Sequence, residues 1–129
     1  MVLPPAKMKK ILFIEDESAL QKSVTEILKK EGYETISAFD GESGLKSAKE
    51  KKPDLILLDL ILPKLDGFSV LEKLKEDKET KEIPVIVLTN LEDVKDVGRA
   101  LELGATTYLV KAQYNLEEVL EKIKQVLEK

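Results

Sequence analysis

Cysteine and histidine are both absent from this sequence, and each absence closes off a class of chemistry. Without cysteine there is no disulfide, zinc–thiolate site or thiol nucleophile, which suits a reducing cytoplasm. Without histidine no imidazole can act as base, metal ligand or phosphoryl carrier. Acid–base and metal chemistry therefore falls to carboxylates, hydroxyls and lysines. Long apolar runs are missing too: Leu55–Leu58 is cut by Asp59, and Leu60–Leu62 ends at Pro63. Neither is long enough to cross a bilayer, so no membrane insertion is expected. There is no excess of positive charge either. The formal net charge is −4, which argues against direct nucleic-acid contact, because a phosphate backbone needs a basic footprint.

What remains is a globular composition, with 43% hydrophobic and 36% charged residues in a 129-residue chain, enough for one domain with one core. Residues 1–8 lack an apolar segment of signal-peptide length and are read as a flexible leader before a domain over 9–129. Five apolar runs follow, at Ile11–Ile14, Tyr33–Phe39, Leu55–Leu58, Val85–Leu88 and Tyr108–Val110. The first, third and fourth are continuously apolar, the pattern of strands covered on both faces of a parallel sheet.

Each run precedes a segment with helical spacing. Leu20, Val24, Ile27 and Leu28 form one stripe, with Gly32 as its stop; Leu45 and Ala48 form a second, before Pro53. Phe68, Leu71 and Leu74 form a third, after Asp66-Gly67, and Val94, Val97 and Leu101 a fourth, before Gly104. Leu116, Val119, Leu120, Ile123 and Leu127 form the last, with Asn115 and Glu118 spaced as an N-cap and capping box. The expected class is α/β: a (βα)5, doubly wound, parallel five-stranded sheet. No further domain is expected after the last helix. Glu26/Lys30 and Glu118/Lys122 are spaced for i,i+4 ion pairs on solvated helix faces.

Open α/β sheets gather ligands beyond the carboxyl ends of their strands. The polar residues there are Glu15 and Asp16 after the first run, Asp59 after the third, Thr89 after the fourth and Lys111 after the fifth. Clustered carboxylates repel one another unless a cation neutralises them, and an all-oxygen set suits Mg²⁺. A carboxylate beside Mg²⁺ can attack a phosphoryl group to form an acyl phosphate, with Lys111 and Thr89 available to stabilise the charge. Each residue also has a plain structural reading. Glu15–Asp16 could favour a helix N-terminus, Thr89 could cap the next helix, and Lys111 could extend its ammonium to solvent. Asp59, set between Leu-Ile-Leu-Leu and Leu-Ile-Leu, is the hardest to explain that way, because a buried acid is costly unless compensated.

The segments Ile11-Leu-Phe-Ile-Glu-Asp-Glu-Ser18, Pro53-Asp-Leu-Ile-Leu-Leu-Asp-Leu-Ile-Leu-Pro-Lys-Leu-Asp-Gly67, Ile83-Pro-Val-Ile-Val-Leu-Thr89 and Gly104-Ala-Thr-Thr-Tyr-Leu-Val-Lys111 resemble the receiver domain of bacterial two-component response regulators. The resemblance covers residues 9–129, and the type it suggests is a single-domain, chemotaxis-regulator-like receiver. It implies a flavodoxin-like fold with strand order 2-1-3-4-5 and a cytoplasmic phosphoacceptor switch that acts on no separate substrate, catalysing only its own phosphorylation and dephosphorylation. By this resemblance Asp59 accepts phosphate from the phosphohistidine of a sensor histidine kinase or phosphotransfer protein. Asp16 and Asp59 ligate Mg²⁺ directly, Glu15 does so through water, and Ile61 contributes its backbone carbonyl. Lys111 meets a phosphoryl oxygen, Thr89 hydrogen-bonds one in the active state, and Tyr108 is the aromatic switch. Output to a downstream target protein would use the fourth helix, fifth strand and fifth helix.

Three positions depart from the family pattern. Glu15 replaces the usual Asp, Asn90 a small residue, and Ala112 the proline whose bond to lysine is cis in the family. A cis bond to alanine costs ~3 kcal/mol, so a trans bond with a shifted loop over Gln113–Asn115 is expected in preference. These departures leave room for a phosphate-independent pseudo-receiver, a module that only binds partners. A flavin-binding protein is disfavoured because Glu15-Asp-Glu-Ser18 would repel a phosphate. A carboxylate-nucleophile phosphatase would need its nucleophile after the first strand.

Overall fold

Strands that are apolar on both faces must be covered twice, and the arrangement of the chain supplies that cover. The structure, a computed structural model, describes residues 8–128; apart from Met8, the expected leader lies outside the described residues. Among those residues the elements are β1 (Lys10–Ile14), α1 (Ser18–Lys30), β2 (Glu34–Ala38), α2 (Gly41–Lys51), β3 (Leu55–Leu58), α3 (Gly67–Glu76), β4 (Val85–Thr89), α4 (Val94–Glu102), β5 (Thr107–Val110) and α5 (Leu116–Leu127), with a 3-10 turn over Lys111–Gln113. The five strands form one sheet in the order β2-β1-β3-β4-β5, and every pairing is parallel.

Alternate residues of each strand feed alternate faces. Leu12, Ile14, Ile56, Leu58, Val85 and Val87 pack with Ala48 of α2, Val70, Leu71 and Leu74 of α3, and Ala100 of α4. Ile11, Phe13, Leu55, Leu57, Ile86, Leu88 and Leu109 pack with Val24 and Leu28 of α1 and with Val119, Leu120 and Ile123 of α5. The result is a three-layer α/β/α domain with its site-bearing loops at one edge.

Local sequence sets the helix ends. Asp40, Asp66 and Asp93 cap α2, α3 and α4, their side chains accepting the N–H groups of Ser43, Ser69 and Lys95. The expected capping box of α5 is complete, with Glu118 N–H donating to Asn115 Oδ1 and Asn115 N–H donating to Glu118 Oε1. That use of the Glu118 carboxylate explains why its i,i+4 pair with Lys122 does not form; the Glu26/Lys30 pair does not close either. Gly32 and Gly104 end α1 and α4 with φ of 89° and 107°, as their positions predict. No peptide bond among the described residues is cis, so Lys111–Ala112 is trans and continues into the 3-10 turn.

The apolar stripe expected for α4 is corrected by the structure. Val94 and Leu101 are 84% and 48% exposed, whereas Ala100 is fully buried. Periodicity identifies a face without saying which way it points, and here the small Ala100 allows close packing. Arg99, the one arginine in the sequence, stacks over the Phe68 ring at 4.2 Å and ties α4 to α3.

Gly67, the first residue of α3, packs against the chain where it leaves β3. A Cβ there would collide with the backbone of Asp59 and Leu60, while one at Gly98 would meet open space. Gly67→Ala is therefore expected to destabilise the domain by ~1–3 kcal/mol, and Gly98→Ala to stabilise it by ~0.5–1 kcal/mol through helix propensity. Urea denaturation of the two variants checks both signs.

Candidate functional site

β1 and β3 lie side by side in register, Ile14 opposite Leu58, so the next residues, Glu15 and Asp59, leave the sheet together. Asp59 N–H donates to the Ile14 carbonyl at 3.0 Å, and Glu15 N–H donates to the Ala38 carbonyl at 3.0 Å, which extends the strand pairing by one residue on either side of β1. Asp16 follows at the surface. Carboxylate oxygens of Glu15, Asp16 and Asp59 all lie within 4.8 Å of one another. Two of the three acids are almost wholly out of water, with side chains of Glu15 and Asp59 only 1% and 5% exposed.

Lys111, delivered by β5, supplies the counter-charge. Its Nζ lies 2.6 Å from Glu15 Oε1 and 2.9 Å from Asp59 Oδ2. Asp59 Oδ1 accepts the Ile61 N–H at 3.2 Å, and Glu15 Oε2 accepts the Glu17 N–H at 3.0 Å. The ammonium serves two anions and each anion has only a share of it, which accounts for the direction of both shifts. Burial pushes the Glu15 carboxyl above the ordinary glutamate value, and the Lys111 contact and Glu17 N–H only partly oppose it. Burial would pull Lys111 down, but its bonds to Glu15 and Asp59 hold it above the ordinary lysine value. Three carboxylates against one ammonium leave two formal negative charges, and every donor atom is oxygen. That donor set fits a hard divalent cation such as Mg²⁺.

Thr89 ends β4 fully buried, with its Oγ1 accepting the Leu91 N–H at 3.5 Å. The half-buried Tyr108 donates its hydroxyl to the Leu91 carbonyl at 2.8 Å. Burial, with the negative charges of Asp96 and Asp59, pushes the Tyr108 phenol up to about 12, so it remains a donor at physiological pH. The structure thus brings Glu15, Asp16, Asp59 and Lys111 into one cluster. It places the Ile61 N–H on Asp59, and it joins Thr89 and Tyr108 through Leu91.

Two participants are not apparent from the motifs. Leu91 enters only through its backbone, and no sequence pattern marks that. Gln21, 2% exposed, donates from Nε2 towards the carbonyls of Phe13 at 2.8 Å, Ala38 at 2.9 Å and Glu15 at 3.2 Å. A signal for it exists: Gln21 falls on the buried line of α1 with Val24 and Leu28, a polar residue at an i, i+3, i+7 core position.

Residues 11–124 match the family model of the response regulator receiver domain. The chain is 40% identical over 120 residues to the DNA-binding dual master transcriptional regulator RpaA of Synechocystis sp., covering 93% of this chain and 49% of that protein. It thus spans about half the length of the curated relatives it matches. A CheY-like response regulator receiver domain from Methanospirillum hungatei superposes with a TM-score of 0.88 at 31% identity, covering 95% of both chains. The receiver domain of a sensor histidine kinase from Pseudomonas aeruginosa, solved with a magnesium ion coordinated in its active-site cleft, superposes with a TM-score of 0.86 at 27% identity, covering 95% of this chain and 100% of that one. The chain belongs to the response regulator receiver family. It is a phosphoacceptor signalling domain of two-component systems, with the flavodoxin-like order 2-1-3-4-5. Among the described residues no helix is long and apolar enough to cross a membrane.

Removing Lys111 leaves buried carboxylates without a cation. In metal-free solution near neutral pH, Lys111→Met is expected to cost ~3–5 kcal/mol in urea denaturation. The deficit should narrow on acidification, as Glu15 takes up its proton in a range raised above the ordinary one. Because the folded Lys111 value is also raised, wild type keeps this contribution below the unfolded lysine value and loses it only as pH rises through the folded one, on the alkaline side.

Proposed function

We propose that Asp59 accepts a phosphoryl group from the phosphohistidine of a sensor histidine kinase or phosphotransfer protein in the cytoplasm, and that α4, β5 and α5 carry the output to a downstream target protein. The observation that carries this reading is the meeting of Asp59 with Lys111, Glu15 and Asp16 beyond the strand ends. Mg²⁺ would be held by Asp16, Asp59 and the Ile61 backbone carbonyl, with Glu15 acting through water, and would neutralise charge on the phosphoryl oxygens. An Asp59 carboxylate oxygen attacks phosphorus as the bond from phosphorus to the imidazole nitrogen breaks, leaving an acyl phosphate. Lys111, already 2.9 Å from Asp59, turns to a phosphoryl oxygen and keeps its role as counter-charge.

Thr89 and Tyr108 form the switch. Each is bonded to Leu91, one at the N–H and the other at the carbonyl. When the Thr89 hydroxyl is drawn to the phosphoryl group it leaves the Leu91 N–H, the segment loosens, and Tyr108 turns inward. The two states then differ in contacts at the foot of α4, as a population shift requires. Beyond this self-modification no catalysis on a separate substrate is proposed, and phosphate-independent binding finds no support in an intact set of Asp59, Thr89 and Lys111. Direct nucleic-acid contact is not proposed for a chain of net charge −4; DNA binding is named for a relative of about twice its length.

Incubation with acetyl phosphate and Mg²⁺ is expected to add one phosphoryl group by intact-mass measurement. EDTA should suppress the reaction, Asp59→Asn should abolish it, and Thr89→Ala should keep the label while losing the accompanying change in the Tyr108 NMR signals. If Asp59→Asn labels as well as wild type, the acceptor assignment is wrong.

A further inference from the structure

We infer that Gln21 is the positioning residue of the cation site: its side-chain amide fixes the Glu15–Glu17 turn and so sets the carboxylates of Glu15 and Asp16 where a divalent cation can use both. This rests on the metal reading above and adds a residue from outside the strand ends.

The turn that carries the two acids is short and is held at several points. Glu15 N–H is bonded to the Ala38 carbonyl, Glu17 N–H to the Glu15 carboxylate, and Gln21 N–H to the Glu17 carbonyl as the first bond of the helix. The Gln21 side chain adds a fourth tie, which differs from the others in what it joins. From the first turn of α1 it reaches the ends of both β1 and β2, touching the carbonyls of Phe13, Glu15 and Ala38. An amide nitrogen has two protons for these three acceptors. The longest contact, 3.2 Å, goes to Glu15, the residue whose placement matters most. The Ala38 carbonyl is shared, accepting from Gln21 Nε2 and from Glu15 N–H alike. The Gln21 amide and the Glu15 main chain thus meet at one oxygen, and the amide braces the carbonyl to which the Glu15 N–H is bonded.

The other end of the same side chain argues that this is more than packing. Gln21 Oε1 is buried and has no hydrogen-bond partner. A buried carbonyl oxygen without a partner is unfavourable, and methionine would occupy nearly the same volume without that penalty. Packing of this face is already supplied by Val24 and Leu28, each 1% exposed. The donor end of Gln21 must therefore outweigh its orphaned acceptor, and what the donor does is share two protons among three main-chain oxygens at the ends of β1 and β2, where the acidic turn begins.

The test compares Gln21→Met and Gln21→Leu, which remove the donor, with Val24→Ala, which removes packing on the same helix face. Three quantities are read: the melting temperature, Mg²⁺ affinity by isothermal titration calorimetry, and amide hydrogen exchange of Glu15 and Glu17 in metal-free protein. Both Gln21 variants should bind Mg²⁺ about 10-fold more weakly, the scale expected when support behind a metal ligand is lost. Their Glu15 and Glu17 amides should exchange faster by on the order of 10-fold, with β3 amides unchanged. Val24→Ala should lower the melting temperature at least as much and leave Mg²⁺ affinity within about twofold. Wild-type affinity and exchange in the Gln21 variants would overturn the inference, as would affinity that tracks melting temperature across all three. If wild type itself fails to bind Mg²⁺, the metal reading falls, and the exchange comparison still decides whether Gln21 holds the turn.

Discussion

One ammonium group holds the working edge of this domain together. Lys111 leaves β5, an edge strand, and its Nζ meets acids that follow β1 and β3. Between β5 and β3 lies β4, so the lysine and carboxylate side chains reach towards each other across two strand spacings to Asp59, about 10 Å, and across a third to Glu15, over the end of a strand that finishes in the small, buried Thr89. A compact charge that meets two differently placed carboxylates at once suits the site better than a planar guanidinium with its donors fixed in one plane. The contact also makes the two buried acids tolerable, since an unpaired carboxylate at this depth would be costly. Strand order, the residue at the end of β4 and the identity of the cation are thus one constraint seen from three sides.

Much of this was legible in the residues. Continuous apolar runs at Ile11–Ile14, Leu55–Leu58 and Val85–Leu88 imply cover on both faces, and two separate cores provide it. Polar residues that directly follow these runs and the run Tyr108–Val110 must emerge at the carboxyl edge, which is why Glu15, Asp59, Thr89 and Lys111 are legible there from the sequence. The run Tyr33–Phe39 was less exact. β2 covers only Glu34–Ala38, and Phe39 lies 47% exposed beyond it, because an edge strand is not obliged to be apolar throughout.

What escaped the sequence is carried by backbone atoms or by orientation. The link from Thr89 to Tyr108 runs through the N–H and carbonyl of Leu91, groups that every residue has and no motif can mark. Gln21 was half hidden for a related reason: its spacing to Val24 and Leu28 marks a core position, but its partners are carbonyl oxygens, which no motif marks. The α4 stripe shows the other limit. Val94 and Leu101 have the right spacing for a core, yet the helix turns Ala100 inward instead, since spacing defines a line along a helix and only the surrounding layers choose its azimuth.

That choice leaves α4 lightly moored. Among its residues only Ala100 is fully buried, Gly98 weakens the helix interior, and the Arg99–Phe68 contact is worth on the order of 1 kcal/mol at an exposed site. Repositioning this helix uncovers little apolar area that was not already wet. The mechanical work asked of any trigger is correspondingly slight: each 1.4 kcal/mol delivered to the foot of α4 tilts the balance of two placements about tenfold, and the rest of the sheet need not yield at all.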